Sequence, residues 1–271
     1  MGEEIRRVLS YETGSSGWTD ELTTFHEETS AGTHFIDVAS REHALRTAAR
    51  WMPSPHAVMM DIGCSSGYMI RDLKRRFPQA LVMGADYVRG PLEKLSTAMT
   101  DVPLLQFNLV ECPLPDRSID VAVLINVLEH IEEDRAAAGQ VHRILRPGGI
   151  AIVEVPAGPD LFDIYDRQLL HFRRYDARGI EKILRAAGLE IVERSHLGFF
   201  LYPFFRAAKR RNRRYMNAPP EEQRRMVARA IVNSGVSVVP RTVMRVEAWL
   251  RPWISYPCGI RCLVTARKAT L

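Results

Sequence analysis

Short apolar runs alternate with amphipathic stretches through the middle of this chain. Residues 58–62, 80–86, 104–107, 119–125 and 150–155 are dense in Val, Ile, Leu, Met and Ala. Runs of that length read as strands covered on both faces. Between them the apolar positions change to helical spacing, with Ile70, Leu73 and Phe77 facing inward over 68–77. Further helices are expected over 91–99, where Pro91 fits a first turn, and over 136–145, stopped by Arg146-Pro147-Gly148-Gly149. A helix over 177–187, capped by Gly188, leads to a sixth strand at 189–194, and a last strand falls at 260–266. Strands and helices alternating every ~20–30 residues make βαβ units. The expected fold is therefore α/β, a doubly wound, mostly parallel sheet of seven strands.

Both flanks break this rhythm. Residues 1–40 are polar and turn-rich, with a loop expected at 13–17 and a weak helical signal at 20–28. A helix over 40–51 follows, in which Ala44, Leu45, Ala48 and Trp51 recur at helical spacing before Pro53 and Pro55 end it. Residues 199–257 are too many for a simple connection and predict a helical insertion. Within it Val239, Val243, Val246 and Leu250 predict a face packed on the core. The expected partition is an N-terminal helical cap over 1–52, a core over 53–198, a helical lid over 199–257 and a final core strand over 258–271.

Composition narrows the class only a little. An apolar content of 46% and a charged content of 25% are those of an ordinary soluble globular protein. The opening residues 1–7 are polar with no apolar stretch behind them, so no secretory leader is expected. No apolar run approaches the ~20 residues that span a bilayer. Cys258 and Cys262 form a C-x3-C pair without an accompanying Cys/His set, so no metal is expected, and a cytoplasmic location follows from sparse cysteines. The net charge of +5 is concentrated, because nine basic residues between Arg206 and Arg229 face only Glu221 and Glu222. Phe199, Phe200, Tyr202, Phe204 and Phe205 precede them. That composition fits a solvated helix whose aromatics line an acceptor pocket, or a peripheral membrane contact through 199–214. The charge would also serve phosphate contacts, although a nucleic-acid partner is not expected.

The sharpest chemical signal is Asp61-Ile62-Gly63-Cys64-Ser65-Ser66-Gly67, a strand end, a small-residue turn and a helix start. Glycines let the turn take positive φ and bring a ligand close to backbone. The helix start adds unpaired N–H groups. The acid heading the turn would repel a pyrophosphate and suits a ligand with a cationic amino group. Asp86 ends the next strand, where a carboxylate can accept both hydroxyls of an adenosine ribose or cap a helix. No P-loop lysine or G-x-S-x-G elbow competes with this reading.

These residues, with Phe107-Asn108-Leu109, the 114–120 approach, Asn126-Val127-Leu128-Glu129-His130 and Leu145-Arg146-Pro147-Gly148-Gly149, resemble the class I S-adenosylmethionine-dependent methyltransferases. The resemblance covers residues 58–195 and the last strand, and it implies a Rossmann-like fold with S-adenosylmethionine as cofactor. It also implies that Asp61 stands near the methionine moiety and that Gly63, Cys64, Ser65 and Gly67 pack against the cofactor. By the same resemblance Asp86 would hold the ribose, Tyr87 would lie against the adenine, Asn108 and Leu109 would flank that ring, and Asn126 and Val127 would line the methionine end. Ser65 stands where the family often has glycine, and Asn108 where it often has an acid. Asp166 with Leu170-His171-Phe172-Arg173-Arg174-Tyr175 resembles an element on the substrate side of bacterial type-11/12-like members.

Methyl transfer is a displacement at a sulfonium-activated carbon, in which a protein chiefly aligns the nucleophile and excludes water. Only a weak nucleophile such as a hydroxyl needs a general base. His130 and His171 are the candidates, because imidazole titrates near neutral pH, with packing roles as the alternative. Arg173, Arg174 and Tyr175 are candidates for binding the acceptor, the arginines by pairing with a carboxylate or phosphate. A salt bridge to Asp166 or Asp176 is the other reading of those arginines. The expected acceptor is a small molecule methylated on O, N or C. A lipid-linked acceptor at a membrane surface, and a cofactor-binding protein that transfers nothing, are the alternatives.

Overall fold

A computed structural model describes residues 8–11, 34–219, 221–223, 225–227, 238–251 and 253–270. The loop expected at 13–17 and the helical signal at 20–28 lie outside the described residues. One sheet of eight strands organises the rest: β1 (Val8–Ser10), β2 (Val58–Ile62), β3 (Leu81–Asp86), β4 (Leu104–Gln106), β5 (Ile119–Ile125), β6 (Leu145–Pro156), β7 (Leu189–Leu197) and β8 (Arg261–Lys268). Their spatial order is β1-β4-β3-β2-β5-β6-β8-β7. All pairings are parallel except those of β8, which is antiparallel to β6 and β7. The strand beyond the expected seven is β1, which sets Val8 opposite Leu104 at the sheet edge. Three residues in a polar stretch show no periodicity, so only the pairing reveals it.

Side chains alternate across the sheet and build a core on each face. Met60, Ile62, Ala122, Leu124, Ala151 and Val153 pack on one face beneath α4 (Asp134–Ile144) and α6 (Ala177–Ala186). Met59, Val121, Val123, Ile150 and Ile152 pack on the other, beneath α1 (Phe35–Trp51), α2 (Tyr68–Arg76) and α3 (Arg89–Ala98). The short α5 (Ile164–Gln168) follows β6, and α7 (Tyr202–Asn212) and α8 (Val238–Leu250) lie between β7 and β8. Strand β6 begins at Leu145, earlier than the expected 150. The pairs Ile119–Leu145 and Val121–Ile150 bracket a bulge over 146–149, where Gly148 has φ +78°.

Helix α8 docks by a different face from the expected one. Val239 and Val246 are exposed, whereas Met244, Glu247 and Ala248 are buried. Glu247 is tolerated inside because its carboxylate accepts the Gly198 N–H at 2.7 Å and pairs with Arg251. A polar side chain satisfied by backbone donors thus occupies the centre of the inward stripe, which a count of valines misplaces.

Candidate active site

Strand order reverses between β2 and β5, and open α/β sheets bind ligands at the carboxyl ends of strands beside such a point. After β2 the backbone turns through Gly63 (φ +77°), Ser65 (φ +45°) and Gly67 (φ +72°). The N–H groups of Gly63 and Cys64 donate to the Ala85 carbonyl at 2.8 and 3.0 Å, tying the turn to β3. A Cβ at position 63 would lie 2.7 Å from Val127 Cγ2, and one at position 67 would lie 2.5 Å from the Leu95 side chain. Ser65 shares the left-handed backbone, a conformation glycine takes without strain. Its N–H donates to Asp86 Oδ2 at 2.8 Å. The Cys64 side chain turns into the core, so only its backbone faces the turn.

Asp86 also accepts the Val88 N–H at Oδ1, 2.9 Å away, which fixes the carboxylate beside the turn. Asp61 is 3% exposed. Burial, reinforced by Asp86, pushes its carboxyl well above the usual range, while Arg41 of α1 opposes this. Asn126, at φ +55°, presents a buried Oδ1 without a hydrogen-bond partner. Asp61, Asp86 and Asn126 Oδ1 together surround the turn with acceptors. That donor-poor rim fits a ligand with a cationic end and ribose hydroxyls, as S-adenosylmethionine has.

On the adenine side the burial of Leu109 departs from the expectation. Tyr87 is half-buried, and its carbonyl accepts from Gln106 Nε2 at 3.1 Å. Asn108 spends one acceptor position of Oδ1 on the Val110 N–H at 3.1 Å, capping a turn at Leu109–Glu111. Leu109 packs inside the core and does not reach outward as a ring contact would require.

The turn after β5, Leu128–His130, begins directly beyond Val127 and carries the second half of the site. His130 and His171 meet edge to face with ring centroids 4.6 Å apart. Glu129 is 0% exposed, and neither carboxylate oxygen has a hydrogen-bond partner. Burial pushes its carboxyl up to about 8, against the pull of Arg261. Its carbonyl accepts the Phe172 N–H at 2.8 Å, joining this turn to the 171 segment. In the sequence Glu129 stands out only as the neighbour of His130. A charged residue inside an otherwise apolar strand end was the available signal.

His171 Nδ1 lies 2.9 Å from Asp166 Oδ1. An ionised carboxylate can only accept, so Nδ1 carries the proton and Nε2 the lone pair. Burial pushes His171 below its ordinary value, with Asp166 opposing. Burial also resists ionisation of Asp166, but His171, Lys209 and Arg174 hold its carboxyl well below the usual range. Lys209 Nζ reaches Asp163 Oδ1 at 2.6 Å and Asp166 Oδ2 at 2.9 Å. This lysine belongs to the basic run read as solvated, yet it is buried. Phe205 stacks against both Lys209 and Arg174. Phe204 faces outward at 77% exposure, beside exposed Arg206, Arg210, Arg211, Arg213 and Arg214.

The three residues expected to bind an acceptor are placed differently. Tyr175 is buried, with its hydroxyl donating to Asp134 Oδ2 at 2.9 Å or the Leu128 carbonyl at 3.0 Å, so that hydroxyl is engaged inside the protein. Arg174 is also interior, donating to Asp166 and to the Ala157 carbonyl, and only its Nη2 lacks a partner. Arg173 pairs with Asp134 at 2.6 Å, not with Asp166 or Asp176.

Comparison with known proteins bears on the part of the chain that carries the turn and the β5 end. Residues 60–153 match the family model described as a methyltransferase domain. A probable S-adenosylmethionine-dependent methyltransferase of Mycolicibacterium smegmatis is 32% identical over 138 residues, 49% of this chain and 52% of that protein. The chain thus spans about half the length of that curated relative. An S-adenosylmethionine-dependent methyltransferase from Mesorhizobium loti shares the fold, with a TM-score of 0.56 at 17% identity over 86% of this chain and all of the other. The cyclase SpnF shares it too, with a TM-score of 0.60 at 18% identity over 92% and 93%. Among the described residues no helix is long and apolar enough to cross a membrane. The matched segment contains both strand ends of the site, so residues 60–153 are similar to a methyltransferase domain, and the chain shares the fold of an S-adenosylmethionine-dependent methyltransferase.

Proposed function

We propose that this is a cytoplasmic enzyme that methylates a small-molecule acceptor carrying a hydroxyl or amine. The observation that carries the reading is the pairing of His130 with His171, 4.6 Å apart, on the turn that continues from Asn126 and Val127. S-adenosylmethionine, when bound, would supply a sulfonium-activated methyl carbon to an acceptor's lone pair, with the neutral thioether as leaving group. Gly63, Gly67, Asp86 and Asn126 bind and orient that cofactor, and Asp61 meets its cationic end. The neutral imidazole of His171, held by Asp166 through Nδ1, serves the acceptor by its lone pair, as base or as ligand.

Mass spectrometry of small molecules released from the denatured protein tests the cofactor, and S-adenosylhomocysteine or S-adenosylmethionine is the expected find. Transfer of label from methyl-labelled cofactor to an acceptor library tests the activity. His171→Ala should lower turnover at least tenfold with cofactor affinity within twofold, and an unchanged rate would make His171 structural. SpnF is described as a cyclase. Cofactor binding without transfer to any acceptor would accordingly favour a binding protein over an enzyme.

A lipid-linked acceptor at a membrane surface has one supporting observation, the exposed Phe204 among five exposed arginines. Flotation with anionic liposomes at low and high salt separates the two readings. Absence from the lipid fraction at both salts would remove the membrane.

A further inference from the structure

Glu129 is the group on the acceptor side that the proposed chemistry leaves without a task. Both of its carboxylate oxygens are buried and lack a hydrogen-bond donor. A carboxylate held that way is several kcal/mol worse than one in water unless a counter-charge reaches it. One oxygen of Glu129, a ring nitrogen of His130 and a ring nitrogen of His171 all lie within 4.8 Å of one another. The supporting layer is built as well. Asp166 receives the Nδ1 proton of His171 at 2.9 Å and is itself pinned by Lys209 and Arg174. An outer carboxylate that fixes the tautomer of an imidazole, and thereby aims its other nitrogen, is the usual support of a metal-binding histidine.

We propose that Glu129, His130 and His171 bind one divalent first-row transition-metal ion, which holds the acceptor through a hydroxyl oxygen. Two imidazoles and one carboxylate suit such an ion and leave positions open for substrate oxygen. Calcium or magnesium, which favour all-oxygen sets, fit poorly. The inference rests on the methyl-transfer reading and narrows its acceptor to a hydroxyl-bearing molecule. The ion lowers the pKa of the hydroxyl it holds, so the proton leaves to water. The freed oxygen pair then forms the bond to the methyl carbon, and the C–S pair stays with sulfur. Both histidines act as ligands in this scheme, and neither takes the proton. The competing counter-charge is Arg261, whose field already favours the ionised form of Glu129 without a hydrogen bond to it.

The test uses the full chain after dialysis against a chelator, titrated with Co2+ and followed by visible absorption. The expected result is saturation at one Co2+ per chain, with Glu129→Gln weakening binding at least tenfold. Glu129→Gln keeps the volume and matches the neutral form that burial favours, so it should fold. Asp166→Asn, which loosens His171 without removing a ligand, should weaken Co2+ binding by about 10–100-fold. No saturable band in the wild type, or equal Co2+ affinity in Glu129→Gln, would overturn the site and point to Arg261 as the partner of Glu129. Calorimetry with S-adenosylhomocysteine on the same preparations keeps the two readings apart. Cofactor binding without Co2+ binding removes only the metal, whereas a wild type that fails to bind the cofactor removes the methyl-transfer reading itself.

Discussion

The two halves of the site are built by opposite means. Around the methyl-donor turn the work is done by backbone: three residues with positive φ, two N–H groups tied to Ala85, and glycines that leave room for Val127 and Leu95. Around the β5 end it is done by side chains from three separate stretches, 129–130, 163–174 and 209, locked by buried ion pairs. A backbone turn depends on which residues tolerate its conformation, so damage there is strain. A buried ionic cluster depends on every charge keeping its partner, so damage there leaves a charge stranded. Perturbations should accordingly be larger on the acceptor side and more specific for the cofactor on the donor side.

Lys209→Met is the strongest challenge to that contrast. It removes the ammonium shared by Asp163 and Asp166 and should lower folding stability by about 3–5 kcal/mol in urea unfolding. A loss below ~1 kcal/mol would mean that the cluster does not hold the acceptor half together.

Glu154 ties the Asn126 turn to α1, since its carbonyl accepts the Asn126 N–H and its side chain accepts from Ser40. Burial raises its carboxyl from about 4.5 to about 7, with Arg261 and Ser40 opposing. The folded state therefore holds this proton more tightly than the unfolded chain. The stabilisation is complete below about pH 4.5 and is lost as pH rises through about 7. Glu154→Gln mimics the neutral form, so its stability relative to wild type should improve by about 2 kcal/mol between pH 5 and 8. A constant difference across that range would show Glu154 ionised throughout.

Asp86→Ala tests the donor half for specificity. It should weaken S-adenosylhomocysteine binding at least tenfold, ~1.4 kcal/mol, in calorimetry. Equal affinity would end the ribose assignment. The smallest effect belongs to Ser65→Gly, which relieves a φ of +45° and should stabilise the fold by about 0.5–1 kcal/mol. A destabilised variant would mean that the serine side chain compensates for its backbone.

The chain's local patterns were enough to place the core strands, the helices between them and the methyl-donor turn, because each is written within about ten contiguous residues. Apolar runs, helical spacing and a glycine-rich strand end need no distant partner to be recognised. Where partners are distant, the local pattern carries no sign of them. β1 exists only through its pairing with β4, and α8 turns Glu247 inward only because Gly198 offers a backbone donor. The Tyr175 hydroxyl finds its partners in Asp134 and the Leu128 carbonyl, both more than forty positions away. Lys209 reads as one more solvated base until Asp163 and Asp166 are brought to it from more than forty positions away. Glu129 became part of a site once folding stripped it of water and set His130 and His171 beside it. Sequence thus determined the cofactor half, whose information is conformational and local. Tertiary structure decided the acceptor half, because burial and charge pairing are properties of neighbours that the chain supplies only when folded.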